Sequence, residues 1–150
     1  TNMGVWSPSF GVGIAMQSVA ADKRDKFGII ESTFSNCKEV AHDYINRFAA
    51  LLPRFYASYI IYRGAKMANL KLDDANPKDA AILVDQPIFL AHGVDDDRIN
   101  IKYSKENLSS LKSKNVSYLP VEGANHVNVW QVGGSEYFKR VFEFLHLQEN

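Results

Sequence analysis

At 150 residues, the chain has room for one domain with a sizeable core, since a domain of this size buries roughly 70% of its unfolded surface. Its 17 basic and 17 acidic side chains cancel, so no long-range field favours nucleic acid or an anionic membrane. The single Cys37 excludes an intramolecular disulfide, and no Cys/His cluster has zinc spacing; a reducing, cytoplasmic setting is the expectation.

No apolar run approaches the roughly 18–20 residues of a membrane span. Met3 to Trp6 reads as a short strand, followed by a sharp turn at Ser7-Pro8-Ser9-Phe10-Gly11. Val12, Ile14, Ala15, Met16, Val19 and Ala20 recur at helical spacing. Phe27 to Ile30 is an apolar run of strand length that ends at Glu31-Ser32-Thr33. Residues 38–69 are helix-like, broken at Pro53 and rich in aromatics from Tyr44 to Tyr62. An acidic turn follows, then a short Ala80-Ala81-Ile82-Leu83 stretch.

Pro87 opens a second buried strand, Ile88 to Ala91, which runs into His92-Gly93. Lys102 to Lys114 reads as an amphipathic helix and Val116 to Val121 as the next strand. Gly133-Gly134-Ser135 caps a last helix, with Phe138, Val141, Phe142 and Leu145 as its apolar stripe. Short apolar strands alternating with amphipathic helices predict an α/β fold, a parallel sheet with flanking helices. In such sheets the site lies at the carboxyl ends of the strands. Ser9, Asp96 and His126 each follow a predicted strand directly.

Backbone chemistry separates the two serines of the first turn. In a nucleophile elbow the residue after the nucleophile donates its N–H to the oxyanion hole. For Ser7 that residue is Pro8, which has no N–H; for Ser9 it is Phe10, at the start of a helix. The Ser7/Ser9 pair also suits a simple helix cap. His92-Gly93-Val94-Asp95-Asp96-Asp97-Arg98 holds three carboxylates able to orient a histidine, which residue chemistry alone does not rank; Asp97 could instead pair with Arg98. Gly123-Ala124-Asn125-His126 presents a histidine beside the sheet, as a general base requires. His42, His92 and His146 lie in less suitable places.

Taken together, these segments resemble the α/β-hydrolases, and more narrowly their lysophospholipase-like, Bem46-like branch. The matching residues are Ser7 to Gly11, Ile30 to Ser35, Leu72-Asp73-Asp74 with Asn76-Pro77, His92 to Arg98, and Gly123 to Trp130 with Gly133-Gly134. Their H-G-x-x-D pattern selects Asp96 as the acid. The resemblance implies a serine hydrolase of carboxylic esters or thioesters, with a Ser9–Asp96–His126 triad and the Phe10 N–H as oxyanion donor. Phe34 is the expected substrate-binding residue, and no metal or cofactor is implied. A non-catalytic module on the same scaffold and a serine peptidase are the alternatives.

The resemblance covers the C-terminal half of that fold: residues 1–150 as one partial domain, with 36–80 a mostly helical, cap-like insertion. It further implies a missing N-terminal half, or self-association, to complete the sheet and supply a second oxyanion donor.

Overall fold

The computed structural model describes residues 3–148. Four strands, β1 (Met3–Pro8), β2 (Asp25–Glu31), β3 (Ile88–Gly93) and β4 (Val116–Val121), form one parallel sheet in chain order. Six α-helices accompany them: α1 (Val12–Ala21), α2 (Cys37–Phe48), α3 (Arg54–Met67), α4 (Pro77–Ala81), α5 (Lys102–Ser110) and α6 (Val129–His146). The register pairs Pro8 with Glu31, Glu31 with Ala91, and Gly93 with Val121, so the carboxyl ends of all four strands lie along one rim.

Successive residues of a strand point to opposite faces, and here both faces are covered. Ile30, Ile88 and Leu90 pack with Val12, Met16 and Val19 of α1 and with Ala80 and Ala81 of α4. Ile29, Phe89 and Ala91 face the other way, onto Tyr137, Val141 and Phe144 of α6. This is why β2 and β3 read as unbroken apolar runs. A third cluster, Phe34, Cys37, Val40, Ile99 and Tyr103, sits where α2 meets the start of α5.

Three local expectations are corrected. The buried face of α6 contains Tyr137, Val141 and Phe144, while Phe142 is exposed and Phe138 partly so. Both sets fit helical spacing; the Tyr137 hydroxyl, which donates to Glu31 Oε1 at 2.6 Å, fixes the rotation. Helix α6 also starts before the glycine pair, and Gly134 (φ 50°, ψ −133°) breaks it internally. Helix α5 stops at Ser110, because the next residues turn away to bond elsewhere. Lys112 N–H donates to Ala81 O at 3.1 Å and Ser113 N–H to Val84 O at 2.8 Å.

Gly93 ends β3 where the chain bearing His126 passes over it. A Cβ there would lie 2.4 Å from the Ala124 carbonyl oxygen and 2.8 Å from that of Asn125. Both obstacles are backbone, so neither can rotate aside. Gly93→Ala is expected to destabilise the fold by about 1–3 kcal/mol, the usual range for overpacking, read as a lower urea midpoint. An unchanged midpoint would show that the two loops are not so closely apposed.

Candidate active site

The turn after β1 passes directly from strand into helix. Ser9 has φ 55°, a left-handed conformation that costs a non-glycine residue roughly 1–3 kcal/mol. It is held between paired strand β1 and helix α1, with a 3-10 turn at Ser9–Gly11 between them. Ser7 stands where an elbow prefers glycine, and the fold accommodates it through Gly11: a Cβ on Gly11 would lie 2.5 Å from Ser7 Oγ. Phe10, the residue after Ser9, occupies the first turn and projects its ring outward.

Two further strand ends converge on this turn. Asp96, in the loop after β3, is buried. Its Oδ1 accepts the N–H groups of Arg98 and Ile99, both at 2.9 Å. Its Oδ2 lies 2.8 Å from His126 Nδ1 and 3.3 Å from His92 Nε2. Burial alone would raise the carboxyl's pKa. The hydrogen bonds from His126, His92, Ile99 and Arg98 outweigh it and hold Asp96 well below the usual carboxylate range. Ionised Asp96 can only accept, so His126 Nδ1 carries the proton. His126 Nε2 is then an acceptor, 2.8 Å from Ser9 Oγ.

The His126 loop is bound to its neighbours through backbone. Val94 N–H donates to Val121 O at 2.9 Å and Asp95 N–H to Ala124 O at 3.0 Å, joining the acid loop to the histidine loop. Ser32 Oγ donates to the His126 carbonyl at 3.3 Å. Asn125 and Asn128 close the turn around it, with Asn125 N–H donating to Asn128 Oδ1 at 2.7 Å.

Two clefts meet at Ser9 and His126. One, of about 440 Å³, is mainly apolar and walled by Phe10, Val40, Ala41, Tyr44, Ile45 and Ile99, with Arg98 at its border. The other, of about 390 Å³, runs past Pro8, Glu31, Ser32, Val127, Val129 and Trp130. An O–H donating to an imidazole whose far nitrogen is held by a carboxylate can be deprotonated as it attacks an electrophile.

The structure brings Ser9, Asp96 and His126 together with Phe10 beside them. Phe34 does not line either cleft: it is buried, its ring centroid 5.4 Å from that of Phe10, which it supports from the core. Asp97 pairs with Arg47, not with Arg98. His42 is buried between α2 and α3, 3.3 Å from Ser58 Oγ. Sequence reasoning missed Glu31, which is buried and accepts from Trp6 Nε1 and Tyr137 Oη, both at 2.6 Å. It ties β1 to α6, the segments on either side of Ser9 and His126. A lone carboxylate closing an apolar strand was the available signal, since glutamate is seldom buried unpaired.

Comparison with solved structures identifies the architecture as that of the α/β-hydrolases. An esterase of Pyrococcus furiosus, PF2001, is similar over 99% of this chain and 54% of its own, with a TM-score of 0.75 and 22% identity. The α/β hydrolase MGS-M2, from a Medee basin deep-sea metagenome, matches over 97% of this chain and 65% of its own, at TM-score 0.65 and 12% identity. A puromycin-hydrolyzing peptidase of Mycobacterium tuberculosis matches over 94% of this chain and 20% of its own, at TM-score 0.63 and 17% identity. The chain therefore spans about half the length of the esterase and less of the peptidase. No protein-family model and no curated protein matches the chain. Among the described residues, no helix is long and apolar enough to cross a membrane.

The depressed acidity of Asp96 has a defined consequence for stability. A carboxyl with a lowered folded-state pKa stabilises the fold above its unfolded value, about 3.9, and that contribution is lost as pH falls toward the folded value. Urea midpoints measured from neutral pH downward are expected to fall below about pH 4 in the wild type. Asp96→Asn should start lower at neutral pH, by on the order of 1–3 kcal/mol, and decline less with acid. Parallel declines in the two proteins would show that Asp96 carries no such linkage.

Proposed function

We propose that the chain carries the catalytic half of a serine hydrolase acting on carboxylic esters or thioesters. The observation that carries this reading is the continuous hydrogen-bond line from Ser9 Oγ through the His126 ring to Asp96, 2.8 Å at each step. Ser9 is the nucleophile. His126 Nε2 takes its proton as the Oγ–acyl carbon bond forms, and returns it to the leaving oxygen or sulfur as the tetrahedral intermediate collapses. Water, deprotonated by the same nitrogen, then releases the acid from Ser9. Asp96 keeps the imidazole in the right tautomer and balances its charge while protonated.

The Phe10 N–H, at the positive end of α1, is the oxyanion donor within this chain. A second donor would come from outside residues 3–148. The apolar cleft beside Phe10 suits the acyl group, with Phe34 acting through Phe10. Residues 36–80 form the cap over that cleft, because Val40, Ala41, Tyr44 and Ile45 of α2 wall it. Strand β1 is an edge of the described sheet, and pairing of that edge by further strands, or by a second copy, is part of the same reading. Two other readings separate by experiment: a peptidase, in keeping with the puromycin-hydrolyzing neighbour, would cleave short amides as well as esters, whereas an interaction module would cleave neither.

A fluorophosphonate probe tests the proposal directly. It is expected to label Ser9, with labelling abolished in Ser9→Ala and in His126→Ala. Asp96→Asn should slow ester turnover by about 10⁴, the penalty of the wrong histidine tautomer. Absence of labelling, in this chain and in any longer form of the protein that contains it, would leave the interaction module.

A further inference from the structure

The balanced charge of the whole chain conceals a one-sided segment. Between Asp43 and Asp73 there is no Asp or Glu, while Arg47, Arg54, Arg63, Lys66 and Lys71 supply five cations. This stretch forms α2's last turn, the connecting loop at 49–53, α3, and the residues after it up to Lys71. The charge balance of the whole chain therefore does not hold within this segment.

The same segment exposes large apolar side chains. Phe48 is 73% exposed, Leu51 98%, Phe55 66% and Met67 82%. Tyr59 and Ile60 add more than half of their surface each. In α3 only Ala57 is buried, with Ile61 and Ala65, four and eight residues further on, partly so. Helix α3 thus rests on the protein along one narrow strip and leaves the rest of its circumference open. A helix this apolar normally has its surface covered.

What covers it is indicated by the charges interleaved with the rings. Only Arg47 of the five is spent on a carboxylate, Asp97. No ion pair is formed by Arg54, Arg63, Lys66 or Lys71 among the described residues. Long cationic side chains beside exposed aromatics let the stems lie on an apolar layer while the heads meet anionic groups. A protein surface would need a dense acidic face with an apolar centre; a bilayer containing anionic lipid offers both at once.

We propose that the α2–α3 hairpin is a membrane-surface anchor. It lies in the headgroup region of an anionic bilayer, with Leu51 and the rings of Phe48 and Phe55 entering the acyl boundary and Arg54, Arg63 and Lys66 meeting lipid phosphates. Tyr44 and Ile45 belong to α2 and wall the apolar cleft at Ser9, so docking sets the mouth of that cleft near the lipid. The anchor stands independently of the chemistry at Ser9, since binding is read without turnover.

Co-sedimentation with phosphatidylcholine vesicles, with and without phosphatidylserine, tests it. The chain is expected to pellet with the phosphatidylserine vesicles at low ionic strength and to be released by salt. Reversal of three exposed cations, Arg54→Glu with Arg63→Glu and Lys66→Glu, should weaken that partitioning by at least about tenfold. Phe55→Ser with Tyr59→Ser should weaken it at every salt concentration. These positions are exposed, and far-UV circular dichroism checks that the variants are folded. No binding to phosphatidylserine vesicles, or equal binding by the charge-reversed variant, would overturn the proposal. So would a dimer in light scattering that Phe55→Ser with Tyr59→Ser dissolves, because a second copy would then cover the face.

Discussion

A buried carboxylate must spend its charge on hydrogen bonds, and Asp96 spends it on both sides at once. One oxygen holds the backbone N–H groups of Arg98 and Ile99, closing the loop after β3. The other holds the imidazole of His126, on the loop after β4. The bonds that keep Asp96 ionised are therefore the bonds that position the ring. Were the carboxylate neutral, the loop and the ring would lose their common anchor together. His92, fully buried beneath, adds a contact to the same oxygen while its Nε2 lies 2.8 Å from the Ile99 carbonyl.

The strain at Ser9 has its own support. A left-handed serine persists only where its surroundings over-determine it. Strand β1 is paired without interruption to β2 from Val5 to Pro8, α1 packs on the sheet through Val12, Met16 and Val19, and the two leave the linking turn little freedom. Glu31 completes the arrangement. It lies opposite Pro8 in the register and binds Trp6 of β1 and Tyr137 of α6. Burial and the Glu31 carboxylate both push the Tyr137 phenol above its usual range, which keeps it a donor. The serine and the histidine approach from opposite ends of the described sheet, and this crosslink runs underneath them.

Much of this was legible because local chemistry left few options. Pro8 cannot donate an N–H, which favours Ser9 over Ser7 as the elbow serine; the apolar runs at Phe27–Ile30 and Ile88–Ala91 required cover on both faces. Asp96 was different: residue chemistry does not rank three adjacent aspartates, the H-G-x-x-D resemblance selects Asp96, and the fold shows Asp97 turned to Arg47 and Asp96 turned inward. The rotation of α6 was equally hidden. The expected stripe Phe138, Val141, Phe142 and Leu145 and the buried set Tyr137, Val141 and Phe144 share Val141 and differ by a small rotation, and a polar contact 106 residues away, from Tyr137 to Glu31, favours the second. Phe34 was misjudged for a related reason: an aromatic near a site lines it or supports it, and spacing does not distinguish the two.

Net charge misled in a more general way. A sum over the chain describes the far field, yet within about 8–10 Å, the screening length of physiological salt, only the local distribution acts. Seventeen cations and seventeen anions are compatible with a segment that carries one sign alone, and the stretch between Asp43 and Asp73 is such a segment. Its aromatics resolve a second difficulty. Aromatics this close to a site ordinarily line its pocket or pack into a core. Of the rings from Tyr44 to Tyr62, only Tyr44 walls the cleft at Ser9; Phe48, Phe55, Tyr56, Tyr59 and Tyr62 are all more than half exposed. Neither the cleft at Ser9 nor the core therefore accounts for them. Side chains of this kind, kept at the surface beside unpaired cations, are placed for an environment that is apolar and anionic within a few ångströms.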